Sequence, residues 1–329
     1  MKKQPESVQA ADSRHGCVLV VGSANMDLVV TCDRFPSPGE TLFAEGFAMY
    51  PGGKGANQAV ACARLGAEVV FLGKMGDDIF GDHLMRSLGE NGVLVDHLMI
   101  DAQEPTGIAV ITVDLHGQNH IVVSSGSNMA LSPDEIEQKA DLFSGADVVL
   151  LQLEIPLATV ERSAQLAKES GAAVILNPAP AASLPDSLLR CVDYLTPNVG
   201  ELEILMGRKV AGPDAAADAA AGLIARGVET VVVTMGEQGA LCVTAGDSRM
   251  YRGKSVSAID TTAAGDAFSG ALAFAIANGF RLDRAIHLAN AVAAFSVTRH
   301  GAQPSMPTIG DLEALGVPVD TVAGGAHST

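Results

Sequence analysis

The feature that most constrains the fold is an alternation of short apolar runs with longer alanine-rich stretches. The apolar runs, rich in Val, Ile and Leu, predict buried strands at residues 18–22, 68–73, 147–152, 173–177, 194–197 and 230–234. The stretches between them predict helices at residues 54–65, 81–89, 133–142, 157–169, 213–226 and 265–277. Such alternation requires crossover connections and a layer of helices on each sheet face. The sequence therefore predicts a three-layer α/β/α sandwich with a mostly parallel central sheet.

Two segments interrupt this alternation. Residues 28–50 are strand-like, with turn residues at 36–39, and residues 106–113 and 119–124 alternate apolar with polar residues around His116 and Gly117. We expect them to form a small β-sheet lid inserted into the core. The predicted division is an N-terminal disordered tail at 1–16, a core of 17–27, 51–104 and 125–316, a lid of 28–50 and 105–124, and a flexible C-terminal tail at 317–329.

Composition limits the partners of this chain. Its 329 residues carry a formal charge of −17, which disfavours nucleic acid and anionic membranes as partners. The five cysteines are scattered without a CxxC pair, so neither a disulfide framework nor a zinc site is expected. Residues 1–16 lack the apolar segment of a signal peptide, and no apolar stretch reaches the roughly 18–20 residues of a membrane span. We expect a soluble, cytoplasmic protein that acts on small molecules.

Common nucleotide-binding and hydrolase motifs are absent from the sequence. A Walker A motif fails because Ser248 stands where its first glycine belongs, ahead of Gly253 and Lys254. The dinucleotide fingerprint fails because Gln58 stands where the third glycine is required. HExxH and GxSxG do not occur. P-loop kinases, common NAD enzymes, zincins and α/β-hydrolases are thereby excluded.

The strongest candidate for chemistry is the segment DTTAAGDAFSG at residues 260–270, in which small residues lead directly into an apolar helix. The unpaired amides at such a helix start, around Ala263, Ala264 and Gly265, predict an anion hole for a phosphoryl group. Asp266 would repel that phosphate, so it fits better as the base that accepts a hydroxyl proton. The alternative is that Asp266 only caps the helix.

Two further segments predict contacts with a sugar. Gly53, Lys54 and Asn57 belong to GGKGANQA, which opens a predicted helix and lets the backbone approach a ligand. Asn25 and Asp27 follow the first strand at the sheet edge where α/β proteins bind ligands, and a carboxylate there can accept two hydroxyls. The alternatives are an ordinary glycine-rich turn with a solvated lysine and a simple turn cap.

Polar residues after three other strands suggest a nucleotide region. Asn198 and Glu201 fit either a helix-capping pair or a site for hydrated Mg²⁺ near phosphates. Glu154 is a further carboxylate at a strand end. Thr234 and the glycines that follow it fit either a phosphate cradle or a hairpin turn.

Taken together, these motifs resemble the PfkB-type carbohydrate kinases. Both family signatures are present, as GGKGAN at 52–57 and DTTAAGD at 260–266, with PSPGET at 36–41, LNPAPA at 176–181 and TRHGAQPS at 298–305. The similarity covers about residues 18–315 and is closest to members that act on ribose. The resemblance implies ATP-dependent phosphorylation of D-ribose at its 5-hydroxyl, with Mg²⁺ as cofactor, K⁺ as activating cation and a homodimer formed through the lid sheets.

The resemblance also implies a role for individual residues. Asp266 would be the catalytic base, with Ala263, Ala264 and Gly265 as the anion hole. The sugar contacts would be Asn25, Asp27, Gly53, Lys54, Asn57, Glu154 and Asp266. The ATP contacts would be Asn198, Thr234, Gly236, Gly239, Gly265 and Asn290, with Glu201 in the Mg²⁺ region. The K⁺ site would comprise Asp260, Thr262, Ser296, Arg299, Gly301 and Ser305. Val199 and Gly200 depart from the polar residues common after the matching Asn, which predicts altered loop packing there.

Two alternatives remain open at this stage. The same chemistry could act on deoxyribose, fructose, a nucleoside or a sugar phosphate. A sugar phosphate calls for more basic residues than Lys54, and a nucleoside calls for aromatic stacking in a chain with 4% aromatic residues. A sugar-binding regulator without turnover would be expected to lack Asp266 or the small residues before it, and both are intact.

Overall fold

A computed structural model of the chain describes residues 16–317. Its strands are, in chain order, β1 (Cys17–Val21), β2 (Asn25–Thr31), β3 (Gly46–Gly52), β4 (Glu68–Leu72), β5 (Lys74–Gly76), β6 (Val93–Leu94), β7 (Met99–Asp101), β8 (Gly107–Val113), β9 (Asn119–Ser124), β10 (Val148–Leu151), β11 (Ala173–Leu176), β12 (Tyr194–Leu195), β13 (Thr230–Thr234), β14 (Gly239–Thr244) and β15 (Asp247–Arg252).

The α-helices of the same residues are α1 (Lys54–Arg64), α2 (Ile79–Glu90), α3 (Pro133–Glu137), α4 (Leu157–Ser170), α5 (Asp186–Leu189), α6 (Val199–Met206), α7 (Gly212–Ile224), α8 (Ala264–Ala277), α9 (Leu282–Ser296) and α10 (Ile309–Ala314). Short 3₁₀ turns cover Gly126–Ala130, Ala140–Gly145, Gly236–Gln238 and Gln303–Ser305. None of these helices, within residues 16–317, has the length and apolar character needed to cross a bilayer.

The central layer is a nine-stranded sheet in the order β15-β14-β13-β12-β11-β10-β1-β4-β6. Its seven strands from β13 to β6 pair in parallel, and β14 and β15 add an antiparallel edge. Val18 and Val20 of β1 pack into one apolar cluster, whereas Leu19 and Val21 pack into a second. Because successive strand residues point to opposite faces, these two clusters cover the two faces of the sheet. The predicted three-layer α/β fold is confirmed.

A second sheet, which we call the lid sheet, comprises β3-β2-β8-β9 in that order. β2 pairs antiparallel with β3 and parallel with β8, and β8 and β9 form the predicted hairpin. Its strands reach further toward the core than the predicted lid segments, because β2 begins at Asn25 and β3 ends at Gly52. The assignment of domain boundaries stays a prediction, and the predicted tails lie outside the described residues except for Gly16 and Val317.

Several local predictions differ from the structure. The helix predicted at 133–142 ends at Glu137, and a separate 3₁₀ turn covers Ala140–Gly145. Helix α9 and the hairpin of β14 and β15 were not predicted. Helix α9 contains Asn290 and Ser296 and packs against α8, and Val297 O, directly after α9, accepts from the amides of Ile259 and Asp260 in the loop before α8.

Candidate active site

The predicted site residues gather at the carboxyl ends of the parallel strands. Asn25 lies shortly after β1 and begins β2, Glu154 follows β10, and Asn198 follows β12. Thr234 ends β13, where its backbone forms a parallel bridge to Asn198. This edge is where open α/β sheets bind ligands. The fold therefore brings together residues from distant parts of the chain.

The start of α8 has an unusual backbone. Ala263, immediately before the helix, has φ 58° and ψ 17°, and it alone among the non-glycine residues of 16–317 has a positive φ. This left-handed conformation costs a residue with a side chain about 1–2 kcal/mol. It turns the chain abruptly into the helix, leaving Gly265 exposed in the first turn. The amide of Ala264 donates to Thr261 O at 3.3 Å, so it is partly engaged in the turn.

Asp266 lies in this first turn and is only 5% exposed. Asn57 Nδ2 donates to its Oδ2 at 3.1 Å, and Gln58 Nε2 donates to its Oδ1 at 2.9 Å. Both donors come from α1. The capping alternative is wrong, because no side chain caps α8 and Ala263 occupies its N-cap position. The Asp266 carboxylate is instead held by two neutral amides from another helix.

Gln58 was not singled out in the sequence, yet it is fully buried beside Asp266. Its Nε2 also donates to Asn177 Oδ1 at 3.0 Å, and its Oε1 accepts from Gln152 Nε2 at 2.7 Å. All its hydrogen-bonding groups are therefore engaged. Gln152 Oε1 is the one buried side-chain N or O atom of residues 16–317 without a partner. Gln58 thus fixes the Asp266 carboxylate through a network that joins helices α1 and α8 to the ends of two strands.

The glycine-rich segment is packed tightly against the chain between β1 and β2. Gly53 has φ 86°, and an added Cβ would lie 2.7 Å from both Ala24 Cα and Asn25 N. Only glycine allows this approach. The backbone amide of Lys54 donates to Glu154 Oε2 at 2.9 Å, and Ser23 Oγ donates to the same oxygen at 2.5 Å. These bonds fix Glu154 next to the start of α1.

The Lys54 ammonium lies among carboxylates rather than in solvent. Asp266, and to a smaller extent Glu154 and Glu201, raise the pKa of Lys54 although burial opposes that rise. Lys54 is half-buried, which differs from the fully solvated lysine of the alternative interpretation, and its contact with a sugar stays a prediction. One cation faces several anions in this cleft, so the site presents hydrogen-bond acceptors to a ligand.

Asn25 and Asp27 are strand residues, not turn caps. Both belong to β2, two positions apart, and so share one face of the lid sheet. Burial raises the pKa of Asp27 to about 7, and the nearby charges of Glu154 and Asp266 add to the rise. Asp27 therefore lies close to the carboxylates that the core contributes.

The predicted nucleotide residues lie along the neighbouring strand ends. Asn198 and Glu201 form a capping box at the start of α6, with two reciprocal hydrogen bonds of 2.8 Å. Burial and the charge of Asp266 raise the pKa of Glu201. The hydrogen bond from the Asn198 amide and the charge of Lys54 act in the opposite direction and lower it.

The other predicted nucleotide residues lie at the end of β13 and in α9. Thr234 N donates to Pro197 O at 2.9 Å. Gly236 and Gly239 both have positive φ in the hairpin turn that follows. Asn290 Nδ2 donates to Tyr251 O at 3.0 Å, which ties α9 to β15.

The residues predicted to bind K⁺ lie in the loop before α8 and in the segment from the end of α9 to the 3₁₀ turn that follows, and Asp260 joins the two. Its Oδ1 accepts from Thr262 N, and its Oδ2 accepts from Gly301 N, both at 2.9 Å. Ser296 Oγ and Ser305 Oγ donate to nearby backbone carbonyls. Arg299 turns away from them, donating to Asp311 and stacking on the Phe295 ring. In residues 16–317 no group of three His, Cys, Asp or Glu side chains could hold a metal ion.

The family model "pfkB family carbohydrate kinase" matches residues 17–309. The chain belongs to the pfkB family. The predicted enzyme class, a kinase that acts on a sugar hydroxyl, is thereby confirmed.

Relatives agree with this assignment. A ribokinase of Haemophilus influenzae is 44% identical over 88% of this chain and 94% of its own. A deoxyribokinase of Salmonella typhi is 39% identical over 89% and 96% of the two chains. The solved structure of an Arabidopsis thaliana ribokinase complexed with ribose and ATP has a TM-score of 0.87 and 34% identity, covering 92% of this chain and 98% of that one.

Proposed function

We propose that this enzyme transfers the γ-phosphoryl group of ATP to the 5-hydroxyl of D-ribose, giving D-ribose 5-phosphate and ADP. The observation that carries the proposal is the position of Asp266. Its carboxylate is buried at the start of α8, and both its oxygens are held by amides of α1. Relatives named ribokinase, and a ribokinase complexed with ribose and ATP, support the choice of substrates.

In the proposed mechanism Asp266 accepts the proton of the 5-hydroxyl as that oxygen forms a bond to the γ-phosphorus. The bond from the γ-phosphorus to the bridging oxygen breaks, and ADP leaves in line with the attacking oxygen. The backbone at Ala263, Ala264 and Gly265 stabilises the charge that develops on the transferred group. The exposed, positive end of α8 suits that role.

The sugar would lie between the lid sheet and α1. Its hydroxyls would contact Asn25, Asp27, Gly53, Lys54, Asn57 and Glu154, in addition to Asp266. Two carboxylates beside one ammonium suit a neutral polyol, whose hydroxyls donate to Asp27 and Glu154 and accept from Lys54. An acceptor that already carries a phosphate would be repelled by these carboxylates.

ATP would bind along Asn198, Thr234, Gly236, Gly239 and Gly265, with Asn290 near the adenine. Glu201 fits the Mg²⁺ region, because Mg²⁺ uses few carboxylates and keeps several waters. When bound, Mg²⁺ neutralises phosphate charge. Asn198 holds Glu201 through one carboxylate oxygen, which leaves the other available.

The donor set around Asp260 fits K⁺ chemically, because it combines one carboxylate with hydroxyls and loop carbonyls. We assign this site to Asp260, Thr262, Ser296, Arg299, Gly301 and Ser305, several of them through their backbone carbonyls. When bound, K⁺ adds positive charge beside the loop that precedes α8. The chain's own contribution is Asp260, which ties that loop to Gly301 and so fixes the backbone at Ala263.

We also propose that the lid sheet forms a homodimer interface. Large apolar side chains are exposed on the face of this sheet opposite Asp27, namely Phe47, Met49, Val110 and Val122. Contiguous exposed apolar surface marks protein interaction sites. Analytical ultracentrifugation tests this, and a monomer at micromolar concentration would contradict it. The cytoplasmic location stays a prediction.

The function is tested by measuring ADP release from ATP·Mg²⁺ with D-ribose, 2-deoxyribose, fructose and adenosine, each in K⁺ and then in Na⁺. We expect fast turnover on ribose that falls when Na⁺ replaces K⁺. Turnover on another acceptor with ribose inert would overturn the substrate assignment. Equal rates in both salts would overturn the K⁺ site alone.

A second candidate substrate is 2-deoxyribose, which the 39% identity to a deoxyribokinase favours. The chemistry at Asp266 would be the same. The ratio of kcat/KM for ribose and 2-deoxyribose in the same assay decides between the two.

A further inference from the structure

Asn128 is a buried amide at the base of the lid sheet. It lies in the 3₁₀ turn Gly126–Ala130, where the chain returns from β9 toward α3, and it is 1% exposed. Its Oδ1 accepts from Ala24 N at 3.0 Å, and its Nδ2 donates to Ala24 O at 3.1 Å. Asn128 thus pairs with the backbone between β1 and β2 as a neighbouring strand would.

A third hydrogen bond links Asn128 to the proposed sugar pocket. Asn128 Nδ2 also donates to Asn25 Oδ1 at 2.8 Å. This bond uses the acceptor side of the Asn25 amide. Asn25 Nδ2 has no hydrogen-bond partner within the described part of the chain, and it is not among the fully buried atoms. The donor side of Asn25 is therefore the side available to a ligand.

Because Gly107 has no side chain, the side-chain amides of Asn25 and Asn128 have room to contact each other. A Cβ at Gly107, the first residue of β8, would lie 2.2 Å from Asn25 Oδ1 and 2.3 Å from Asn128 Nδ2. No side chain fits at such distances. The strand that pairs with Asn25 is thus shaped around the contact between Asn25 and Asn128.

We propose that Asn128 is a positioning residue that fixes the amide of Asn25 as a hydrogen-bond donor to the sugar. This inference rests on the proposed function. Asp27, two residues after Asn25 on the same strand face, supplies an acceptor. A hydroxyl both donates and accepts, so a donor at Asn25 beside an acceptor at Asp27 matches it. If the Asn25 side-chain amide were rotated by 180°, Asn25 Oδ1 and the Asp27 carboxylate would both face the sugar as acceptors. A hydroxyl has only one proton to donate to them.

The test replaces Asn128 with aspartate, which keeps the size of the side chain but removes its donor. Asn25 must then turn its own Nδ2 toward the carboxylate introduced at position 128, and so away from the sugar. We expect N128D to raise the ribose Kd, measured by calorimetry, by at least about tenfold while the ATP Kd stays within twofold. N128S, too short to reach Asn25, should weaken ribose binding in the same way if N128D does not fold.

Ser127→Ala is the matched control. It removes the hydrogen bond from Ser127 Oγ to Lys74 O in the same turn and leaves Asn25 untouched. Its ribose Kd should equal that of the parent protein. Weakening in Ser127→Ala equal to that in the Asn128 variants would show that any loosening of the turn suffices, and would overturn the inference.

A double-mutant cycle separates the inference from the proposed function. Asn25→Ala alone should weaken ribose binding, and adding N128D to it should cause little further loss. Additive losses, or Asn128 variants that bind ribose normally, would overturn the role of Asn128 alone. Unchanged ribose binding in Asn25→Ala would overturn the assignment of Asn25 to the sugar pocket, and the inference with it.

Discussion

Replacing Asp27 with asparagine should stabilise the fold while it weakens the enzyme. The pKa of Asp27 rises from 3.8 to about 7 because the carboxyl is buried near Glu154 and Asp266. At about 1.4 kcal/mol per pH unit, a rise of about 3 units makes the ionised carboxylate about 4 kcal/mol less favourable in the folded state. This is an upper value, because local relaxation and water entry reduce it.

The direction in which pH changes the free energy of unfolding follows from the number of protons that each state binds. Between about pH 4 and pH 7 the folded state holds a proton on Asp27 that the unfolded state has lost. The free energy of unfolding therefore falls as the pH rises through this window, and the full penalty applies above pH 7. Asp27→Asn removes the charge, so the stability gained should be at most about 4 kcal/mol at pH 8 and at most about 2 kcal/mol at pH 5.5.

The assay is urea denaturation of the parent protein and of Asp27→Asn at both pH values. Asp96→Asn, which removes an exposed carboxylate in the turn before β7, is the matched control. Asp96→Asn should change the free energy of unfolding by no more than about 0.5 kcal/mol at either pH. A destabilised Asp27→Asn, or a gain that does not shrink at pH 5.5, would refute the reasoning.

The protonation of Asp27 should also change the affinity of the enzyme for ribose. If ionised Asp27 accepts sugar hydroxyls, the ribose KM of the parent protein should rise as the pH falls below about 7. It should approach a tenfold rise for each further pH unit. Asp27→Asn should show a higher ribose KM that varies little with pH. Asp27→Asn should thus be more stable than the parent protein but bind ribose more weakly. This outcome is expected when a buried charge that destabilises the fold is needed for function.

Three further substitutions test the start of α8 and its support. Asp266→Asn should lower kcat by about 10²- to 10⁴-fold and should weaken ribose binding much less than it lowers kcat, measured by steady-state kinetics and calorimetry; near-normal turnover would exclude Asp266 as the base. Gln58→Leu removes the hydrogen bonds of Gln58 to Gln152 Nε2, Asn177 Oδ1 and Asp266 Oδ1, so urea denaturation should show a loss of about 1–3 kcal/mol and kcat should fall more than either KM changes. Ala263→Gly relieves the positive φ of Ala263 and should raise the free energy of unfolding by up to about 1 kcal/mol; a loss of stability would argue against strain there.

Elements with strong local signals were predictable from the sequence. The strands of the central sheet are short β-branched runs, and β13 has the predicted bounds. Helix α9 was missed because Arg281 at its N-cap and Val297 at its C-cap are not typical capping residues, and Asp283 in the first turn is a weak start signal by itself. The hairpin of β14 and β15 was missed because β14 begins with Gly239 and Ala240, which have weak strand propensity.

The site was predictable only where its residues lie in one motif. Asp266 and Asn57 each stand in a recognisable segment, and the structure joins them by a hydrogen bond. The contacts of Gln58 with Gln152 and Asn177, and that of Asn128 with Asn25, link residues about 90 to 120 positions apart. No local pattern encodes such pairs, because they depend on which strand ends are neighbours in the sheet.

The charge of the site has a consequence for the release of the product. Asp266, Glu154 and Glu201 lie near the Lys54 ammonium, and Asp27 lies near Glu154 and Asp266. The acceptor enters as a neutral sugar and would leave as a phosphate ester with about two negative charges. Repulsion between that ester and the carboxylates acts on the product but not on the substrate. The same arrangement that raises the pKa of Asp27 therefore favours binding of the sugar over retention of its phosphate.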